Sequence, residues 1–188
     1  MSAELKPVRV TASEYLSGPE TMRRRELIWG VVRDAPGPSA YSHEIPRSEL
    51  EFLLQLHVRG HKLGRVLAGP TDVVLDEPKA LILQPDIIFV STDRLHIIRD
   101  RVWGAPDLVI EVLSPGTRRY DRHQKLGWFR EYGIRECWLV DPKDREITVH
   151  AFDVAAPGVT VFKAEDTLQS KVLPALELRV RDVFDAAV

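Results

Sequence analysis

The chain has 188 residues, 44% of them hydrophobic and 29% charged, which suits one domain with its own core and rules against a largely disordered chain. A formal net charge of -2 excludes binding of nucleic acid by bulk charge, and Cys137, the single cysteine, excludes a disulfide framework and a cysteine-based zinc site. No apolar run approaches the roughly 20 residues of a membrane span, and no secretory signal opens the chain, so a cytoplasmic domain over residues 1–188 is the expectation.

In chain order, VTASEYLSGPE predicts a short helix with Thr11 or Ser13 as N-cap and Gly18-Pro19 as its stop. Arg23 to Asp34 alternates as a strand with a turn at Gly30, and the proline-rich APGPSAYS is a loop. From Ser42 to about Arg59, Ile45, Leu50, Leu53, Leu54, Leu56 and Val58 recur at helical spacing. Short β-like runs follow at 65–69, 71–76 and 85–90, with turn residues between them. Residues 93–104 read as a short helix plus a loop, 106–114 as the clearest strand, and 116–133 as a second long helix ending at Gly133. Strands at 136–142 and 146–152, a last strand or two and a short terminal helix complete the chain. A strand meander joined to a strand–helix–strand crossover predicts an α/β (α+β) fold, with a central mixed sheet covered by the two long helices.

The strand in GAPDLVIEVLSPGT (104–117) carries two acids among apolar residues. Asp107, Val109, Glu111 and Leu113 share one side of it, and four steps of about 3.3 Å separate the acids by roughly 13 Å, too far for one ion. QPDIIFV supplies Asp86 at the start of another strand. If the two strands pair, Asp86 and Glu111 converge on one hard cation of the magnesium or manganese type. Asp107, after a proline, also has an ordinary use in capping turn amides. Glu111 lies mid-strand, where a buried carboxylate is unfavourable by several kcal/mol unless it is paired, protonated or metal-bound. In the following helix Asp121, Lys125, Trp128, Phe129 and Tyr132 share a face. Lys125 then points to the core side, either to pair with Asp121 or to reach over the sheet edge toward Glu111. His43, near the start of the first long helix, is placed to approach these acids from that helix, although a cap or a satisfied surface group is its ordinary reading.

Taken together, RELIWG (25–30), PGPSAYSH (36–43), TDVVLD (71–76), QPDIIFVS (84–91), GAPDLVIEVLSPGTRRYD (104–121), the lysine of RHQKL and YGIRECWLVDP (132–142) form a specific set. In this order and spacing they resemble the PD-(D/E)XK nuclease superfamily, and within it the bacterial Uma2 family of restriction-endonuclease-like proteins. The resemblance implies a restriction-endonuclease-like fold, hydrolysis of phosphodiester bonds in nucleic acid, with DNA the first candidate and RNA left open, with Mg²⁺ or Mn²⁺, and a homodimer. Asp86 matches the first acid of the signature and Glu111 the second, which makes them the implied metal ligands. Leu113 stands where the general signature has lysine, and Lys125 matches a lysine moved to the next helix. Asp107 and Glu26 match further acids of the family's pattern, while Val31 stands where the family has another acid. Arg118, Arg119, Arg122 and Arg130, with Arg23 to Arg25, are the candidate phosphate contacts, although such stretches are ordinarily solvated faces. The competing class is a nuclease fold kept as a non-catalytic DNA-binding or assembly protein, and Leu113 is its best support. The six histidines (43, 57, 61, 96, 123, 150) lack the ligand spacing of other metal hydrolases.

Overall fold

The computed structural model describes residues 8–19, 24–34, 41–114, 121–152 and 157–185. Helix α1 (Ala12–Leu16) begins at a capping box: the Thr11 hydroxyl accepts from the Glu14 N–H, and the Glu14 carboxylate accepts from the Thr11 N–H. β1 (Arg25–Ile28) and β2 (Val31–Asp34) form a hairpin. Its turn residues Trp29 and Gly30 have φ of 52° and 81°, the two positive values that a tight type I′ turn requires. After α2 (Tyr41–Gly60) come β3 (Gly64–Ala68), β4 (Val73–Asp76), β5 (Leu81–Leu83) and β6 (Ile87–Ser91). A 3₁₀ segment (Thr92–Ile97), β7 (Val102–Trp103) and β8 (Leu108–Val112) follow. A wide π turn (Asp121–Lys125) leads into α3 (Leu126–Glu131). The chain then runs through β9 (Glu136–Asp141), β10 (Glu146–Ala151), β11 (Gly158–Lys163), β12 (Thr167–Leu168), β13 (Leu178–Arg179) and α4 (Val180–Phe184).

Three of these elements depart from expectation, one being β7, a two-residue strand inside a segment read as helix and loop. β5 falls in a segment read as turn, because three buried residues between Ala80 and Gln84 show no alternation to detect. The second long helix, expected over 116–133, is a five-residue π turn and a six-residue α-helix over its described part, and residues 115–120 lie outside the described ones. A π turn holds an extra residue, so the 3.6-residue phase that predicts one continuous face holds only from Lys125 onward.

The strands form a mixed six-stranded sheet ordered β11-β10-β9-β8-β6-β3, in which only β8 and β9 run parallel. A second sheet is ordered β2-β1-β5-β4-β7, and β12 pairs with β13. One face of the larger sheet presents Ile87, Phe89, Leu108, Ile110, Val112, Trp138 and Val140 to Leu50, Leu54 and Val58 of α2 and to Val180 and Val183 of α4. The other face presents Ile88, Val90, Val109, Leu113, Cys137 and Leu139 to Ile28, Val73, Leu81 and Leu83 of the smaller sheet and to Phe129 of α3. Burying each such side chain stabilises the fold by about 1.5–3 kcal/mol, so this sheet-on-sheet layer is a rigid setting for whatever polar groups enter it. The Cys137 thiol is one of its packing groups. Among the described residues no helix is long and apolar enough to cross a membrane.

Candidate active site

Strand register decides the first contact. β6 and β8 pair antiparallel with Ile87 opposite Ile110 and Ile88 opposite Val109, so one step further puts Asp86 opposite Glu111. The Val112 N–H donates to Asp86 Oδ2 at 2.7 Å, extending the ladder with a side chain. By alternation, Asp86 lies on the same face as Ile88, and Glu111 on that of Val109 and Leu113, so both carboxylates point into the layer between the sheets. Glu26 enters that layer from β1, two residues before Ile28.

Lys125 comes from the helix after β8, and three contacts hold that helix in place. Phe129 is buried, Trp128 packs edge-on to Trp29 with ring centroids 5.7 Å apart, and the Tyr132 hydroxyl donates to Asp76 Oδ2 at 2.7 Å. One turn before Phe129, the Lys125 ammonium lies 2.9 Å from Glu111 Oε1 and 2.8 Å from Glu26 Oε1, with the residue 5% exposed. The same Glu26 oxygen accepts the Gln84 N–H at 3.2 Å. Of the residues singled out in the sequence, Asp86, Glu111, Lys125 and Glu26 therefore meet, and Lys125 takes the longer reach over the sheet edge. The Asp121 side chain lies outside the described residues.

Three further residues join these four: Arg24, expected as a phosphate contact, His43, whose ordinary reading is a cap, and Gln84, which the sequence does not single out. Arg24 Nη1 lies 2.5 Å from Asp86 Oδ1, and its Nη2 donates to the Gln84 carbonyl. His43 is buried at the start of α2, with Nε2 3.5 Å from Asp86 Oδ2 and Nδ1 3.2 Å from Glu44 Oε1. Gln84 lends its backbone to Glu26 and Arg24, and its side chain donates to Asp72 and accepts from the Arg25 N–H. The available signal was position within a motif: His43 closes PGPSAYSH, Gln84 opens QPDIIFVS, and Arg24 directly precedes RELIWG. Burial pushes the Asp86 carboxyl up, but the His43 hydrogen bond and the Arg24 charge outweigh it and hold Asp86 at about 2. Burial works against the charge on His43, yet Asp86 and Glu44 raise its pKa above the ordinary value.

Asp107, expected to take part, is not brought to this cluster. It is fully buried at the opposite end of β8, roughly 13 Å away by strand rise, and it accepts from the Ser91 N–H at 2.8 Å, Arg94 Nη1 at 3.1 Å and Arg135 Nη1 at 3.4 Å. Burial raises its pKa, and the Ser91 and Arg94 hydrogen bonds more than reverse that. Of the candidate phosphate contacts, Arg24 is held by Asp86, Arg25 pairs with Asp34 at 3.0 Å and Arg130 is exposed. Arg23, Arg118, Arg119 and the Arg122 side chain lie outside the described residues.

The donor set fits a hard divalent cation: carboxylate oxygens from adjacent strands, with the one thiol packed away in the core. Among the described residues, the one group of three acids with ligand atoms within 4.8 Å of one another is elsewhere, at Asp141, Asp144 and Glu146. There Asp141 accepts the N–H groups of Lys143 and Asp144, as turn aspartates do.

The crystal structure titled as a putative nuclease belonging to DUF820, from Anabaena variabilis, is similar to this chain with a TM-score of 0.78 and 22% identity. The match covers 94% of this chain and 98% of that one, and at this identity it shows the fold. No curated protein matches the chain. The sequence profile of the Uma2 family, described as "Putative restriction endonuclease", matches residues 12–181. The chain belongs to the Uma2 family, and its mixed sheets flanked by helices form a restriction-endonuclease-like fold.

Proposed function

We propose that the protein is a Mg²⁺- or Mn²⁺-dependent endonuclease that hydrolyses phosphodiester bonds of DNA at the cluster between the sheets. The observation that carries this reading is the convergence of Glu111 and Glu26 on the buried Lys125 ammonium, with Asp86 opposite Glu111 on the adjacent strand. Three carboxylates in one dry layer have little structural use, because each takes on a desolvation cost that an apolar residue would avoid.

Asp86 and Glu111 would hold the ion. When bound, it supplies Lewis acidity, lowering the pKa of water and neutralising phosphate charge. Glu26 and Glu111 aim the Lys125 ammonium, which offsets the negative charge that develops on the phosphate oxygens in the transition state. His43 and the Val112 N–H orient Asp86. The layer of Val109, Leu113 and Leu139 keeps the local dielectric low, where such charges act strongly.

The test is cleavage of duplex DNA, single-stranded DNA and RNA in Mg²⁺ or Mn²⁺. Lys125→Ala should cut about 100–1,000-fold more slowly than wild type. Absence of cleavage on every substrate, or equal rates in the two proteins, rejects the mechanism. A second reading is a DNA-binding protein that does not cut, and one observation favours it: Arg24 and Lys125 already neutralise Asp86 and Glu111. Mn²⁺ titration separates the two, since a non-cutting protein of that kind has no need to take up the ion.

A further inference from the structure

We propose that Arg24 is a displaceable counter-cation, which holds Asp86 until a divalent ion arrives and then moves its guanidinium to the phosphate of the substrate. The inference rests on the nuclease reading and assigns the group that links metal uptake to substrate capture.

The two cations of the site are held very differently. The Lys125 side chain is 6% exposed and bridges two carboxylates from different sheets. Leaving would take from both acids the cation that they share. Arg24 keeps 30% of its side chain exposed and holds one carboxylate, Asp86, and one carbonyl, that of Gln84. Asp86 can spare it, because the Val112 N–H and His43 also engage that carboxylate.

The guanidinium is also incompletely satisfied where it rests. Nη1 and Nη2 have acceptors, but the Arg24 Nε–H is buried and has no acceptor among the described residues. A buried donor without a partner is unfavourable, so this placement is one that a better acceptor can draw away. A phosphate diester offers two oxygens at the spacing of the arginine fork and satisfies Nε and one Nη together. A divalent ion on Asp86 supplies the push, since it would sit beside a guanidinium now 2.5 Å from that carboxylate. Chain position permits the move: Arg24 lies just ahead of β1, so its backbone is outside the ladder that fixes Arg25 to Ile28.

The experiment pairs a binding measurement with a rate. Mn²⁺ affinity is measured calorimetrically without DNA for wild type, Arg24→Gln, Arg24→Lys and Asp86→Asn, and cleavage of a labelled duplex is followed at saturating Mn²⁺. Removing a competing charge should tighten Mn²⁺ binding about tenfold in Arg24→Gln. The same protein should cut about 100-fold more slowly, having lost its phosphate fork. Arg24→Lys keeps a charge without the fork, so it should bind Mn²⁺ within about twofold of wild type and still cut slowly. A structural role predicts the other pattern, with affinity and rate falling together. That pattern, an unchanged Mn²⁺ affinity in Arg24→Gln, or wild-type cutting by either Arg24 variant, overturns the proposal. If Arg24→Gln does not fold, the rate of Arg24→Lys decides alone. Mn²⁺ binding that persists in Asp86→Asn would instead reject the metal site itself, which is a failure of the nuclease reading and is recorded by a different variant.

Discussion

The two ends of β8 each bury an acid, and they do so with opposite economies of charge. At one end, Asp107 is a single carboxylate served by two arginines and a backbone N–H. Those contacts tie the end of β6, the 3₁₀ segment and the start of β9 together, so every partner is used up in bracing the fold. At the other end, Asp86, Glu111 and Glu26 share Lys125 and Arg24, with His43 as a further partner of Asp86. A brace needs its acid saturated with donors, whereas a site that trades internal cations for a metal ion and a phosphate needs several acids close together. Burial alone does not separate these cases, since Asp107 and Glu111 are 0% and 3% exposed. The ratio of acids to cations does.

Substitutions at the two ends should therefore fail in different assays. Glu111→Gln should lose Mn²⁺ binding and slow cleavage by about 1,000-fold or more, while its melting temperature changes little. Cleavage by this variant at the wild-type rate would erase the distinction. Asp107→Asn should do the reverse, keeping Mn²⁺ affinity but losing about 3 kcal/mol in urea unfolding, because two arginines are left facing a neutral amide. A drop in Mn²⁺ affinity without a loss of stability would move Asp107 into the site.

Acid titration adds a smaller effect at the cluster. Asp86 has a folded pKa of about 2 against an ordinary 3.8, so its stabilisation is complete above about pH 4 and is lost as pH falls toward 2. The difference corresponds to about 2 kcal/mol, and Asp86→Asn should flatten that part of the stability–pH curve. The smallest effect is expected from Tyr132→Phe, which removes the hydroxyl bond to Asp76. Its stability should fall by about 1 kcal/mol, with a loss of cleavage severalfold beyond any change in Mn²⁺ affinity, because α3 anchors the turn that ends in Lys125. Unchanged cleavage would show that Phe129 and Trp128 hold the helix without it.

The sequence by itself determined which charged residues stand in apolar settings and the order of most of the parts. Acids placed in apolar strands mark Asp86 and Glu111, since such a position is unfavourable without a partner, and helical phase marks Lys125 as turned inward from four residues before Phe129. Local patterns also determined the capped α1, the hairpin turn at Gly30 and most strands of the larger sheet. Tertiary structure decided what these residues meet. Antiparallel register put Asp86 opposite Glu111, and sheet-on-sheet packing brought Glu26 across to Lys125. The same packing made Asp107 a brace, because whether Arg94 and Arg135 converge on it depends on a 3₁₀ segment and a strand far apart in sequence. The contacts of Arg24 and His43 with Asp86 were not legible for the same reason: one residue precedes a strand and the other starts a helix, and neither shows a local period that points at Asp86. Periodicity reports which face a side chain takes, and only the folded chain determines which group stands across from it.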